Sequence, residues 1–279
     1  MKRPRRERGA IARAFERARR EKRAAFVPFL MAGDPDLATT ADLVVALAEA
    51  GADVVEVGVP FSDPIADGPV NQAAAERSLA SGTTLEKILA TVAALRSRTD
   101  VAIVLFSYYN PMHRYGLACL AHHAAASGVD GILCVDLPPE EAQGEYLDAL
   151  RANALDPIFL LAPTSTRDRV KAVAKSGSGF VYYVSRTGVT GERAELPREL
   201  AKEVAALRKA LKLPVAVGFG ISTPEQAAAV ARVADGVVVG SALVRLAAES
   251  GNPLPAVRSA ADRMRGAMTG GSGRSGRST

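Results

Sequence analysis

The chain has 279 residues, 48% of them apolar, 23% charged and 5% aromatic, with no Trp and two Cys, which is the composition of an ordinary globular protein. No run of eighteen apolar residues is present to span a membrane. Two Cys in so long a chain exclude the disulfide framework of a small secreted domain and point to a reducing, cytoplasmic setting. The net charge of +5 invites a nucleic-acid reading, but its placement matters more: Met1–Arg23 carries +8 and Arg263–Thr279 carries +4, leaving the body from Ala24 to Asp262 at −7.

The first stretch, GAIARAFERARREKR, places Ile11, Phe15 and Ala18 at i, i+4 and i+7, with Glu16 four residues before Arg20, and reads as a surface helix with a narrow apolar stripe. A charged helix packed on the domain is favoured over a nucleic-acid arm, because Phe15 is its only aromatic and no second basic segment in the body joins it. Three Glu and no Ser argue against a transit peptide. The expected organisation is a basic N-terminal helix over 1–23 packed on a catalytic domain over 24–266, then a disordered Gly, Ser and Arg tail over 267–279.

Between the ends, short β-branched runs alternate with loops and Ala- and Leu-rich helical segments. Eight runs are found: FVPFLM from Phe26, VVEVGV from Val54, VAIVLFSY from Val101, GILCV from Gly131, PIFLLA from Pro157, FVYYV from Phe180, PVAVGF from Pro214 and GVVVG from Gly236. They are nearly continuously apolar, which marks parallel strands covered on both faces. Eight strands with eight crossovers predict a (β/α)8 barrel, the TIM-barrel architecture, with a Rossmann-type sheet as the weaker option. The second repeat is long. It predicts an inserted helix over Pro69–Ser81, ended by Gly82, and a second helix started by Thr83 and Glu86 as a capping box; Ser222, Pro224 and Glu225 predict a similar start after strand seven.

Active sites of such barrels lie at the carboxyl ends of the strands. Glu56 stands out as a carboxylate inside an apolar strand, where burial is costly and lifts its pKa. A buried ion pair is the structural alternative, but no Lys or Arg occurs in any of the eight runs. The loop PFSDPIADGP adds Asp63 and Asp67 among three prolines; Asp is common in turns, yet Glu56 and Asp67 together offer two carboxylates in different surroundings, as two proton transfers require. Gly218-Phe219-Gly220 and Gly240-Ser241 place small residues and helix starts after strands seven and eight, the usual phosphate site of a barrel. Ser185–Gly191, rich in Gly and Thr, reads as a lid over a phosphate ester. His113, His122 and His123 have no metal-ligand spacing and read as surface residues, and Cys119 and Cys134 both read as small buried hydrophobes.

The segments VPFLMAGDPD, VVEVGVPFSDPIADGP, YYNP, VSRTGVTG, VGFGIS and VGSALV, in this order, resemble the α-subunit family of tryptophan synthase from about Ala10 to Met264. The resemblance implies a lyase that cleaves indole-3-glycerol phosphate to indole and glyceraldehyde 3-phosphate by a retro-aldol step. Glu56 matches the family's catalytic acid and base, and Asp67 the carboxylate that accepts the indole N–H. Phe29, Tyr108, Tyr182 and Phe219 match positions near the indole and glycerol parts, and Thr190, Gly191, Gly220, Gly240 and Ser241 the phosphate and lid positions. Departures are small: Phe106-Ser107 in strand three, and Cys134-Val135 before Asp136, alter the expected pocket wall. The resemblance further implies no cofactor in this chain, a PLP-containing β subunit as partner in an α2β2 tetramer, and an interface at Asp63, Asn110 and Pro111. A stand-alone lyase releasing free indole would carry the same catalytic residues. A nucleic-acid-binding or scaffold barrel using the basic termini is the reading from another class.

Overall fold

The computed structural model describes residues 9–185, 196–218 and 220–269, with the backbone alone at 196–198. The eight apolar runs form eight strands: β1 (Ala25–Met31), β2 (Val54–Gly58), β3 (Ala102–Ser107), β4 (Gly131–Cys134), β5 (Asp156–Leu161), β6 (Val181–Val184), β7 (Val215–Gly218) and β8 (Gly236–Val239). All pair in parallel in chain order, and β8 closes on β1 with Ala25 opposite Gly236. That closure selects the barrel over the open Rossmann-type sheet.

Twelve helices accompany the strands among the described residues: α1 (Ala10–Arg20), α2 (Leu37–Glu49), α3 (Pro69–Ala80), α4 (Leu85–Leu95), α5 (Tyr109–Tyr115), α6 (Leu117–Ser127), α7 (Glu145–Ala152), α8 (Arg167–Ser176), α9 (Leu196–Leu211), α10 (Pro224–Ala231), α11 (Ser241–Glu249) and α12 (Pro253–Thr269). Strand side chains alternate between two cores. Phe26, Val55, Ile103, Ile132, Val181, Val215 and Val237 face the helices, while Ala25, Val27, Val54, Val104, Leu133, Ile158, Phe180, Ala216 and Val238 fill the barrel.

Helix α1 closes the amino end of that interior. Ile11 is 0% and Phe15 5% exposed, Phe15 stacks on Phe180 with ring centroids 5.3 Å apart, and each side chain contributes about 1.5–3 kcal/mol by burial. A Cβ at Gly131 would lie 2.9 Å from Ile11, and one at Gly236 2.9 Å from Phe15, so these strand glycines make room for the helix.

The same end carries a repeated clasp that the sequence reading does not foresee. Asp53, Asp130 and Asp235 each immediately precede an even-numbered strand, and each accepts an N–H from the first or second residue of the neighbouring strand: Phe26 at 2.9 Å, Ile103 at 3.0 Å and Val215 at 2.9 Å. Each is also paired with arginine, Asp53 with Arg17 and Arg23, Asp130 with Arg96, and Asp235 with Arg208. Part of the basic charge of the first segment is therefore spent on a buried acid of the barrel floor.

Several boundaries shift by a residue. Thr84, not Thr83, caps α4 and accepts from Lys87 N–H; Thr83 is buried beneath Gly33. Thr223 with Gln226, not Ser222 with Glu225, forms the capping box of α10, because Pro224 takes the first helical position. Helix α12 continues to Thr269 and buries Met268, three residues past the expected boundary at 266. Cys134 is buried as expected, but Cys119 is exposed, on the outer face of α6. No helix among the described residues is long and apolar enough to cross a membrane.

Candidate active site

On β2 the alternation sends Val54, Glu56 and Gly58 into the barrel, and Glu56 arrives at the level where the packed floor gives way to the mouth. Its register partners are Phe29 on β1 and Val104 on β3. Glu56 is 0% exposed, and neither carboxylate oxygen has a hydrogen-bond partner. Burial with no compensating charge pushes its pKa from 4.5 up to about 8. A group in that state is protonated at neutral pH and close enough to its pKa to give and take a proton.

Asp67 reaches the mouth from the loop after β2. The hydroxyl of Tyr108, at the end of β3, donates to Asp67 Oδ2 at 2.8 Å and accepts from Ala66 N–H at 3.0 Å. Asn71 Nδ2 donates to Asp67 Oδ1 at 3.2 Å, and Gln72 Nε2 to the Asp67 carbonyl at 2.8 Å. Tyr108 has its phenol pushed up by burial and then by the Asp67 carboxylate, so it stays a donor. Helix α3, which follows, is pinned to the loop after β1: Arg77 holds the buried Asp34 through two bonds at 2.8 and 2.7 Å, and Ser78 Oγ donates to the Ala32 carbonyl.

Tyr182 faces both acids from β6. Its phenol is pushed up by burial first, then by the carboxyl groups of Glu56 and Asp67. A Cβ at Gly218 would collide with the Tyr182 hydroxyl, and one at Gly58 would lie 2.6 Å from the Phe29 ring. Phe29 meets Phe106 edge to face at 5.2 Å, and Tyr108 stacks on Phe61 at 5.3 Å. The departure at Phe106 is thus part of the aromatic wall.

Two strands round the barrel from Glu56, Gly240 caps α11 and Ser241 opens it, leaving the Ser241 and Ala242 N–H groups at a helix start. Gly220 lies two residues beyond Gly218, at the level of Gly240 on the neighbouring strand, since Gly218 is in register with Val238. This rim can bind an anion through backbone donors. Asp63 stands outside the mouth on the loop after β2, and Asn110 and Pro111 in the first turn of α5 after β3: Asp63 and Asn110 are exposed, and Ile65 beside Asp63 is 87% exposed. Thr190, Gly191 and Phe219, and all of the expected lid over Ser185–Gly191 except Ser185 itself, lie outside the described residues. Among the described residues no three of His, Cys, Asp and Glu converge as a metal site. Asn71, Gln72 and Gly58 are site residues that the sequence reading does not single out, and Gly218, expected at the phosphate rim, makes room for the Tyr182 hydroxyl instead.

Comparison with known proteins agrees with this geometry. The sequence model of the family described as "Tryptophan synthase alpha chain" matches residues 15–267. The tryptophan synthase alpha chain of Geotalea daltonii is 54% identical over 85% of this chain and 89% of its own length, and that of Citrifermentans bemidjiense 59% identical over 79% and 82%. The crystal structure of tryptophan synthase subunit alpha from Legionella pneumophila superposes with a TM-score of 0.87 at 37% identity, covering 93% of this chain and 98% of that one. A tryptophan synthase structure from Mycobacterium tuberculosis gives 0.84 at 38% identity over 94% and 99%. With a closed parallel barrel, a buried glutamate in β2 and these likenesses along nearly all of its described length, the chain belongs to the tryptophan synthase alpha chain family, the carbon–carbon lyases that cleave indole-3-glycerol phosphate in tryptophan biosynthesis.

Proposed function

We propose that Glu56 and Asp67 divide the proton transfers of the cleavage. Glu56, protonated at neutral pH, delivers its proton to C3 of the indole ring, and Asp67 accepts the ring N–H and stabilises the positive charge that develops there. The resulting Glu56 carboxylate takes the proton of the glycerol hydroxyl next to the breaking bond. As that hydroxyl becomes the aldehyde of glyceraldehyde 3-phosphate, the electrons of the C–C bond return to the ring and release indole. Glu56 ends the cycle protonated, so no external acid or base is consumed.

The observation that carries this reading is the Glu56 carboxyl, fully buried in the barrel with neither oxygen hydrogen-bonded, a setting that lifts its pKa to about 8. Phe29, Tyr108 and Tyr182 line the indole and glycerol part, and Gly220, Gly240 and Ser241 hold the phosphate; the family resemblance assigns Phe219 to the first role and Thr190 and Gly191 to the second. The catalytic unit runs from residue 24 to the end of α12, with α1 as its floor, and acts in the cytoplasm. The family implies a β-chain partner; a PLP-containing β chain in an α2β2 assembly fits the exposed Asp63, Ile65 and Asn110 with the half-buried Pro111, and no cofactor is needed in this chain. The test is to supply indole-3-glycerol phosphate and follow both products. Indole and glyceraldehyde 3-phosphate form in equal amounts, Asp67→Asn slows them by about 10²-fold or more, and a tryptophan synthase β chain raises the wild-type rate. Cleavage that is fast alone and unchanged by the β chain would point to a stand-alone lyase.

A further inference from the structure

Among the described residues, three buried side-chain polar atoms have no hydrogen-bond partner: the two carboxylate oxygens of Glu56 and Oδ1 of Asn71. Buried polar groups are nearly always satisfied, so each exception asks for a reason. The reaction accounts for Glu56. Asn71 is the third residue of α3, four positions after Asp67, and its Nδ2 donates to Asp67 Oδ1 at 3.2 Å while Tyr108 donates to Oδ2 at 2.8 Å. The flipped amide would set its oxygen against a carboxylate oxygen, so the network fixes the orientation. One turn further along the same face, Ala74 and Ala75 are buried against Phe29, Met31 and Val244. That turn of the face is apolar, and the next polar group on it, Ser78, is engaged with the Ala32 carbonyl. An amide placed there leaves an acceptor unmet, which costs stability, and the bond it makes in return is to Asp67.

We propose that Asn71 is a positioning residue for the cleavage, acting through Asp67. With Tyr108 it gives each carboxylate oxygen one side-chain donor, from α3 on one side and from the end of β3 on the other. Each oxygen keeps a free lone pair, and the carboxylate meets the indole N–H in a single orientation. This inference rests on the role of Asp67 given above.

The experiment uses the full chain with a tryptophan synthase β chain and indole-3-glycerol phosphate. Asn71→Leu removes the amide without leaving a void; it lowers kcat about tenfold, leaves KM within about twofold and leaves Tm unchanged or raised, since the unmet acceptor is gone. Asn71→Ala, which suits the face that already holds Ala74 and Ala75, gives the same loss of kcat should the leucine variant fold poorly. Asn71→Gln, whose amide can still reach back one turn, recovers most of the rate. On an Asp67→Asn background, Asn71→Leu changes kcat by less than about twofold, because the group it acts through is already altered. Normal turnover by Asn71→Leu and Asn71→Ala, an equally large loss on the Asp67→Asn background, or a kcat loss that tracks a fall in Tm would each overturn the proposal. The reading of Asp67 fails separately, by normal turnover of Asp67→Asn alone.

Discussion

Glu56 sits in the barrel at a cost that depends on pH, and the size of that cost follows from its surroundings. Its pKa is lifted from 4.5 to about 8 by burial alone. Below pH 4.5 the carboxyl is protonated in both the folded and the unfolded chain, and it has no pH-dependent effect on stability. Between 4.5 and about 8 only the unfolded chain releases the proton, so folding loses up to about 1.4 kcal/mol for each unit of rising pH. At pH 7 the loss is about 3 kcal/mol, and above 8 it is constant because both states are ionised. Glu56→Gln is neutral throughout, and whatever its amide costs in the same dry site does not change with pH. Urea unfolding of wild type and Glu56→Gln at pH 5, 6, 7 and 8 should therefore show a stability difference that moves in favour of the variant as pH rises, by about 2–3 kcal/mol between pH 5 and 7. A difference that stays flat over this range would refute the claim that Glu56 is buried without a partner.

Other outcomes follow from the same geometry. Gly218→Ala drives a Cβ into the Tyr182 hydroxyl and should reduce kcat/KM by about tenfold or more, with a near-native thermal melt, since a displacement of about 1 Å in a site is enough for such losses; unchanged kinetics would count against Tyr182 lining the pocket. Asp53→Ala removes the buried one of the two carboxylates paired with Arg23, which is 6% exposed and keeps Glu21, takes the partner of Arg17 away, and leaves Phe26 N–H without its acceptor. The variant should lose about 3–5 kcal/mol of stability while its folded fraction keeps normal turnover, and a change below about 1 kcal/mol would remove the clasp from the account. Tyr108→Phe deletes the donor to Asp67 Oδ2 and the acceptor for Ala66 N–H; steady-state assays should show kcat down about tenfold, equivalent to about 1.4 kcal/mol of transition-state stabilisation, and an unaltered kcat would show that Asp67 does not need this bond.

The parts of this molecule that could be read from residue order are those governed by local pattern. Strands covered on both faces need continuous apolar runs, so Phe26, Val54, Val101 and their counterparts announced themselves, and Glu56 was visible because a carboxylate in such a run has no ordinary explanation. The helix start at the rim after β8 was legible through Gly240-Ser241, where a glycine and a helix start coincide. What escaped depends on partners distant in sequence. The pairs Arg17–Asp53 and Arg23–Asp53 span 36 and 30 residues, and nothing in the spacing of a charged helix tells a solvated arginine from one that neutralises a barrel acid. Asn71 looked like any polar residue in a first helical turn; its meaning comes from Tyr108, more than thirty positions later, closing on the same carboxylate. Cap positions slipped by one residue because Thr83 and Thr84, or Ser222 and Thr223, offer equivalent hydroxyls, and only the backbone decides which one leaves the helix.

The central claim is that a dry, protonated Glu56 gives and takes the proton of the cleavage, and Glu56→Gln tests it most directly. With indole-3-glycerol phosphate at saturation and the β chain present, the variant should lose at least 10²–10⁴-fold in kcat while binding glycerol 3-phosphate within about threefold of wild type, because the phosphate rim on β7 and β8 is untouched. Turnover within an order of magnitude of wild type would contradict the account.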